Sequence, residues 1–156
     1  LPFSDTASVP DVSAAKMVEQ TLALKRLQVT QDEYGELISP QPDKAVVLTY
    51  YRNNIMHQFA LPSLILALVF AQKGCEKKYI KQTCATIYPL LQRELFIYFK
   101  PAQLEELIDN YIDQFKIQGI LVQAGKILKA PAAEDKAFTS AWLLSRVLRP
   151  IHSRNY

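Results

Sequence analysis

The stretch LTYYRNNIMHQFALPSLI, Leu48 to Ile65, decides how this chain is read. Leu48, Tyr51, Ile55 and Phe59 recur at i, i+3, i+7 and i+11, which makes one apolar helical stripe. Arg52, Asn53 and Gln58 leave that stripe. Asparagine competes with a helix for backbone hydrogen bonds, so Asn53 and Asn54 are unusual in mid-helix. Tyr50, Tyr51, Arg52, Asn53, Asn54 and His57 form a dense polar and aromatic cluster, with His57 spaced to meet both asparagines. A cluster that breaks a local rule marks a site or an interface. Pro62 biases Leu61 away from helical geometry, so the helix is expected to end or kink there.

Downstream, the thirteen residues Phe59 to Ala71 are apolar except Pro62 and Ser63. A membrane-crossing helix needs about 20 residues, so this run reads as a buried core helix, with a membrane-dipping segment as the other reading. Lys77 to Phe99 shows a second helical pattern that Pro89 should kink. Leu104, Leu107, Ile108, Tyr111, Ile112 and Phe115 give a regular amphipathic helix, opened by Pro101 and closed by Gly119. Ile120 to Gln123 and Lys126 to Lys129 flank Ala124-Gly125 as a hairpin. Phe138 to Leu148 reads as a final helix with Trp142 on its apolar side and Arg146 and Arg149 toward its C-terminal end.

Upstream, residues 1–12 read as a linker, Ser13 as the cap of a helix to about Leu27, and Gln31 to Pro42 as a loop in which Glu36 to Ser39 could form a short strand. Asp43 is the expected cap of the next helix. The expected fold is mostly α: one helical domain over 13–156 with a small β-hairpin, its segment 77–130 resembling a winged helix.

The chain has 156 residues and a formal net charge of +3. That charge is blocked along the sequence. Residues 73–100 carry six bases against two acids, residues 101–118 four acids against one base, and residues 126–156 six bases against two acids. Glu105, Glu106, Asp109 and Asp113 crowd the helix that precedes the hairpin. In a DNA-binding winged helix that element faces phosphates, so no nucleic-acid partner is expected. The final helix, with Trp142, Arg146 and Arg149, is a candidate membrane-surface element, since tryptophan and basic residues favour an anionic interface; a plain surface helix is the alternative.

Cys75 and Cys84 would lie about 13 Å apart on one helix, beyond disulfide reach. Two histidines and no CxxC pair offer no metal site, and four scattered glycines make neither a P-loop nor a dinucleotide-binding loop. No cofactor is expected. No G-x-S-x-G elbow is present, and no cysteine has a base beside it. His57 is the one well-placed titratable candidate, with a hydrogen-bonded structural role as its alternative. Arg52 could pair with an acid across an interface or bind a phosphate or acyl-donor headgroup. The chain begins at Leu1 rather than Met and shows neither a signal peptide nor a membrane-spanning segment, so a piece of a longer protein is expected.

The block YYRNN…H…LPSL resembles the segment beyond the catalytic domain in bacterial membrane-bound glycerol-3-phosphate acyltransferases. IYPLLQRELFIYF (Ile87 to Phe99), Leu104 to Leu121 ending in QGIL, and AWLL (Ala141 to Leu144) also look like that family, so the resemblance runs from about Val12 to Leu144. Members transfer a fatty acyl group from acyl-CoA or acyl-carrier protein to glycerol 3-phosphate, the first step of phospholipid synthesis at the cytoplasmic face of the inner membrane. Their chemistry lies in an H-x-x-x-x-D motif, with F-x-E-G-x-R among the arginine-bearing motifs that hold the phosphate. Here Pro62 stands where the aspartate after His57 would be, four residues follow His152, and F-x-E-G-x-R is absent. The resemblance therefore implies a peripheral, inactive C-terminal segment whose partner is the catalytic domain of the same protein. The alternative is a non-enzymatic, winged-helix-like interaction module.

Overall fold

Ser13 caps α1, Ala14–Ala23, as expected: its Oγ accepts the N–H of Lys16 at 3.3 Å. The computed structural model describes residues 11–95, 97 and 99–148. Arg149, one of the three candidate membrane-surface residues, and most of the expected linker 1–12 lie outside them. The chain divides into two compact units, Leu1–Ile55 and Met56–Tyr156.

In the first unit α1 stops at Ala23, short of the expected Leu27, and the chain turns through Lys25 at φ 51°. The expected loop from Gln31 to Pro42 is mostly strand. β1 (Leu27–Asp32) pairs antiparallel with β2 (Gly35–Pro40), from Leu27 opposite Pro40 to Asp32 opposite Gly35. Asp32 makes the turn by accepting the N–H of Tyr34 on Oδ1 at 2.8 Å, and Gly35 takes φ 126°. Asp43 does not cap the next helix. It sits inside a 3₁₀ turn, Pro42–Lys44, and its carboxylate pairs with Lys44 at 2.6 Å. α2 follows, Ala45–Ala71. Among the described residues of the first unit, none is buried.

The second unit holds the core. Its share of α2 buries Met56, Ala60, Leu61, Pro62, Ser63, Ile65, Leu66 and Val69. The helix does not end at Pro62 but continues to Ala71. Proline inside a helix costs about 3 kcal/mol, whereas burying a leucine or isoleucine contributes about 1.5–3 kcal/mol. Leu61, Ile65 and Leu66 together outweigh the lost bond. The segment Pro42–Ala71 has the length and mean hydropathy (1.6) to cross a membrane, and half of its most apolar stretch is buried within the protein.

At the end of α2, Gly74 (φ 115°) leads into β3, Cys75–Glu76, and then α3, Lys77–Leu95, which also carries a proline, Pro89. α3 ends before the expected Phe99, where the Phe99 carbonyl accepts from the Tyr88 hydroxyl (2.7 Å) and the Gln92 amide (2.8 Å). Pro101 opens a 3₁₀ turn into α4, Leu104–Ile117, and Gly119 (φ 70°) follows its end. β4 (Val122–Ala124) and β5 (Ile127–Lys129) form the expected hairpin. β3 adds to it, Cys75 opposite Leu128, giving the order β3-β5-β4. α5, Lys136–Ser145, is capped by Asp135 and docks Phe138 edge-on against Phe70, ring centres 5.7 Å apart. Tyr88, Ile65, Leu66, Ile80, Ile108, Ile112 and Leu121 are fully buried. The fold is thus mostly α with small antiparallel sheets.

Candidate functional site

The α2 cluster is laid out along one helix and largely exposed. Tyr50 and Tyr51 are 64% and 54% exposed, with ring centres 6.0 Å apart and planes at 61°. Ile55, from the expected core stripe, is exposed too, while Phe59 is half-buried. Arg52 is half-buried; its guanidinium donates to Asn53 Oδ1 at 3.2 Å, and its Nε is buried with no hydrogen-bond partner among the described residues. A buried donor left unpaired costs about 1–3 kcal/mol. Asn53 and Asn54 are exposed, and His57 is half-buried one turn further on. The arrangement joins Arg52 to Asn53 and leaves the two tyrosine rings outward. It assembles donors and acceptors but no nucleophile–base pair.

Trp142, a candidate for the membrane surface, is exposed, as is Leu143 beside it, while Ala141, Leu144 and Ser145 are buried. The Arg146 guanidinium stacks 4.1 Å above the Trp142 ring centre, a cation–π contact that holds a flat amphipathic plate at the end of α5.

The charge blocks meet each other in the second unit. Asp109 of α4 pairs with Lys77 at 2.8 Å and Lys81 at 2.9 Å from α3, and Glu105 lies 3.7 Å from Lys81. Burial works against ionising Asp109, but the two lysines hold its carboxyl below the usual carboxylate range. Asp113 pairs with Lys116 at 2.7 Å. The alternation of basic and acidic blocks was the signal for this network, although sequence alone does not pair the residues. A shallow cleft of about 190 Å³ lies beside it, lined by Lys77, Ile112, Lys116, Gln123, Lys126 and Leu128. Both cysteines are unpaired and buried, and burial pushes the Cys84 thiol up to about 12, which leaves it protonated and unreactive. Among the described residues, no group of three or more His, Cys, Asp or Glu side chains could hold a metal ion.

Comparison with known proteins identifies the setting of these features. The family model described as the glycerol-3-phosphate acyltransferase C-terminal region matches residues 1–156. A glycerol-3-phosphate acyltransferase of Alteromonas mediterranea is 48% identical over 149 residues, which is 96% of this chain and 18% of that protein. One of Pseudoalteromonas atlantica is 44% identical over 148 residues, again 18% of its length. One of Aeromonas hydrophila is 36% identical over 121 residues, or 78% of this chain and 15% of that protein. No solved structure matches. The chain spans about a fifth of the length of these relatives, and it belongs to the glycerol-3-phosphate acyltransferase C-terminal region family.

Proposed function

We propose that this chain is the non-catalytic C-terminal segment of a glycerol-3-phosphate 1-O-acyltransferase. The parent enzyme would take a fatty acyl group from acyl-CoA or acyl-carrier protein and pass it to glycerol 3-phosphate at the cytoplasmic face of the inner membrane. The observation that carries this reading is the family match over 1–156 in a sequence without H-x-x-x-x-D. The segment supports the catalytic domain. Arg52, Asn53, Asn54 and His57 supply its hydrogen-bonding surface, and the buried, unpartnered Nε of Arg52 is the donor best suited to an acceptor on that domain. The connectivity of the second unit fits a docking module: a helix, then β3, α3, α4, β4 and β5, with β3 beside β5, is the winged-helix order. Ion pairs within the fold occupy Asp109 and Asp113 of α4, and the carboxylates there oppose a phosphate backbone.

Arg52→Ala in the full-length enzyme tests the interdomain role. It should lower thermal stability or expression before it changes substrate affinity. A pure rise in KM for glycerol 3-phosphate at unchanged stability would contradict this role and make Arg52 a ligand contact.

The same reading gives the Trp142–Arg146 plate to the membrane surface. Co-sedimentation of the chain with anionic vesicles should weaken on joint charge reversal of Arg146 and Arg149. Unchanged binding would remove the plate from the account.

A further inference from the structure

The β1–β2 hairpin is amphipathic, and its apolar face is largely exposed, with Leu27 half-buried. Leu27 stands opposite Pro40 and Val29 opposite Ile38, so strand alternation places all four on one face. The other face carries the Gln28–Ser39 pair, joined by a side-chain hydrogen bond at 3.4 Å, Thr30, whose hydroxyl donates to the Leu37 carbonyl at 3.3 Å, and one apolar side chain, Leu37. Val29 and Ile38 are 46% and 45% exposed, and Tyr34 at the tip is 90% exposed. A two-stranded hairpin is at best marginally stable alone, and this one sits in a unit with no buried described residue.

We infer that the Leu27, Val29, Ile38 and Pro40 face docks on the remaining, larger part of the acyltransferase polypeptide, which completes the core this unit lacks. The inference rests on the chain being one region of that longer enzyme. Two observations choose this occupant. Between Leu27 and Pro40 there is no lysine or arginine, while Asp32, Glu33 and Glu36 are acidic, which opposes an anionic lipid surface. The relatives extend far beyond the 18% of their length matched here, and a tethered partner acts at an effective concentration in the millimolar range, which a second copy does not reach at ordinary concentrations.

Hydrogen exchange of the full-length enzyme and of the 156-residue chain tests this directly. The amides of residues 27–40 should exchange at least about 100-fold more slowly in the full-length protein. Val29→Lys with Ile38→Lys in the full-length enzyme should return them to the rates of the isolated chain while residues 104–117 keep theirs. Thr30→Lys, on the polar face, should leave the protection intact. Equal exchange in the two proteins overturns the inference. Protection in the isolated chain that rises with its concentration, or only with added vesicles, overturns it too, in favour of a second copy or a membrane. Failure of the full-length protein to acylate glycerol 3-phosphate would overturn the functional reading and leave this comparison standing.

Discussion

Asp109 accepts two ammonium groups of α3 at once and so links α3 to α4. Its carboxyl is depressed in the folded chain, so the stability it contributes is complete above the unfolded value near 3.8 and is lost as pH falls through the folded value. The pairs are partly exposed, which limits the effect to about 0.5–1 kcal/mol. Urea denaturation should therefore find Asp109→Asn less stable by that amount at pH 7, with the difference shrinking toward pH 2. A constant difference across that range would show that the loss is not ionic. At this scale the sequence was informative about residue type and silent about pairing. The acidic run Glu105 to Asp113 and the basic run Lys73 to Lys81 are plain in one dimension, whereas which lysine meets which carboxylate depends on how the helices pack. Trp142 is exposed because Ala141 and Leu144 fill the inner face of the short final helix.

Among the elements, α4 was the most legible, because its apolar positions repeat cleanly at helical spacing: Leu104, Ile108, Tyr111, Ile112 and Phe115 are buried and Leu107 is half-buried. The β1–β2 hairpin was not. Its turn has no Asn-Gly or Asp-Gly pair; the signals were Asp32 at the first turn position and Gly35 at the fourth, which are common in loops as well. At Pro62 a local rule allowed an end or a kink; the helix does not end there, because burial of its neighbours outweighs the lost bond. The join of α2 to β3 gives an element-scale prediction. At Gly74 the backbone has φ 115°, and an added Cβ would come within 2.8 Å of Lys129 Cγ and 3.3 Å of the Leu128 carbonyl. Lys129 can move, the backbone less so, and the φ is strained for any side chain. Gly74→Ala should cost about 1–3 kcal/mol, read from thermal unfolding. Leu66→Ala, at a fully buried position of α2, should cost about 2–5 kcal/mol.

At the scale of the molecule, the two units differ in how much they bury. The described residues from Met56 to Leu148 enclose a core, while the described residues before Met56 bury none of their side chains. This contrast is what the proposed role as a supporting region of a longer acyltransferase would lead one to expect. The YYRNN block pointed to the family because its residues are too unusual for generic packing; which side chains it would leave exposed was not legible, since exposure depends on how the helix packs. The central claim is that acyl transfer resides elsewhere in the parent protein. Assaying the purified 156-residue chain beside the full-length enzyme for acylation of glycerol 3-phosphate tests it most directly. The account predicts turnover by the full-length enzyme and none above background by the chain; turnover by the chain alone would contradict it.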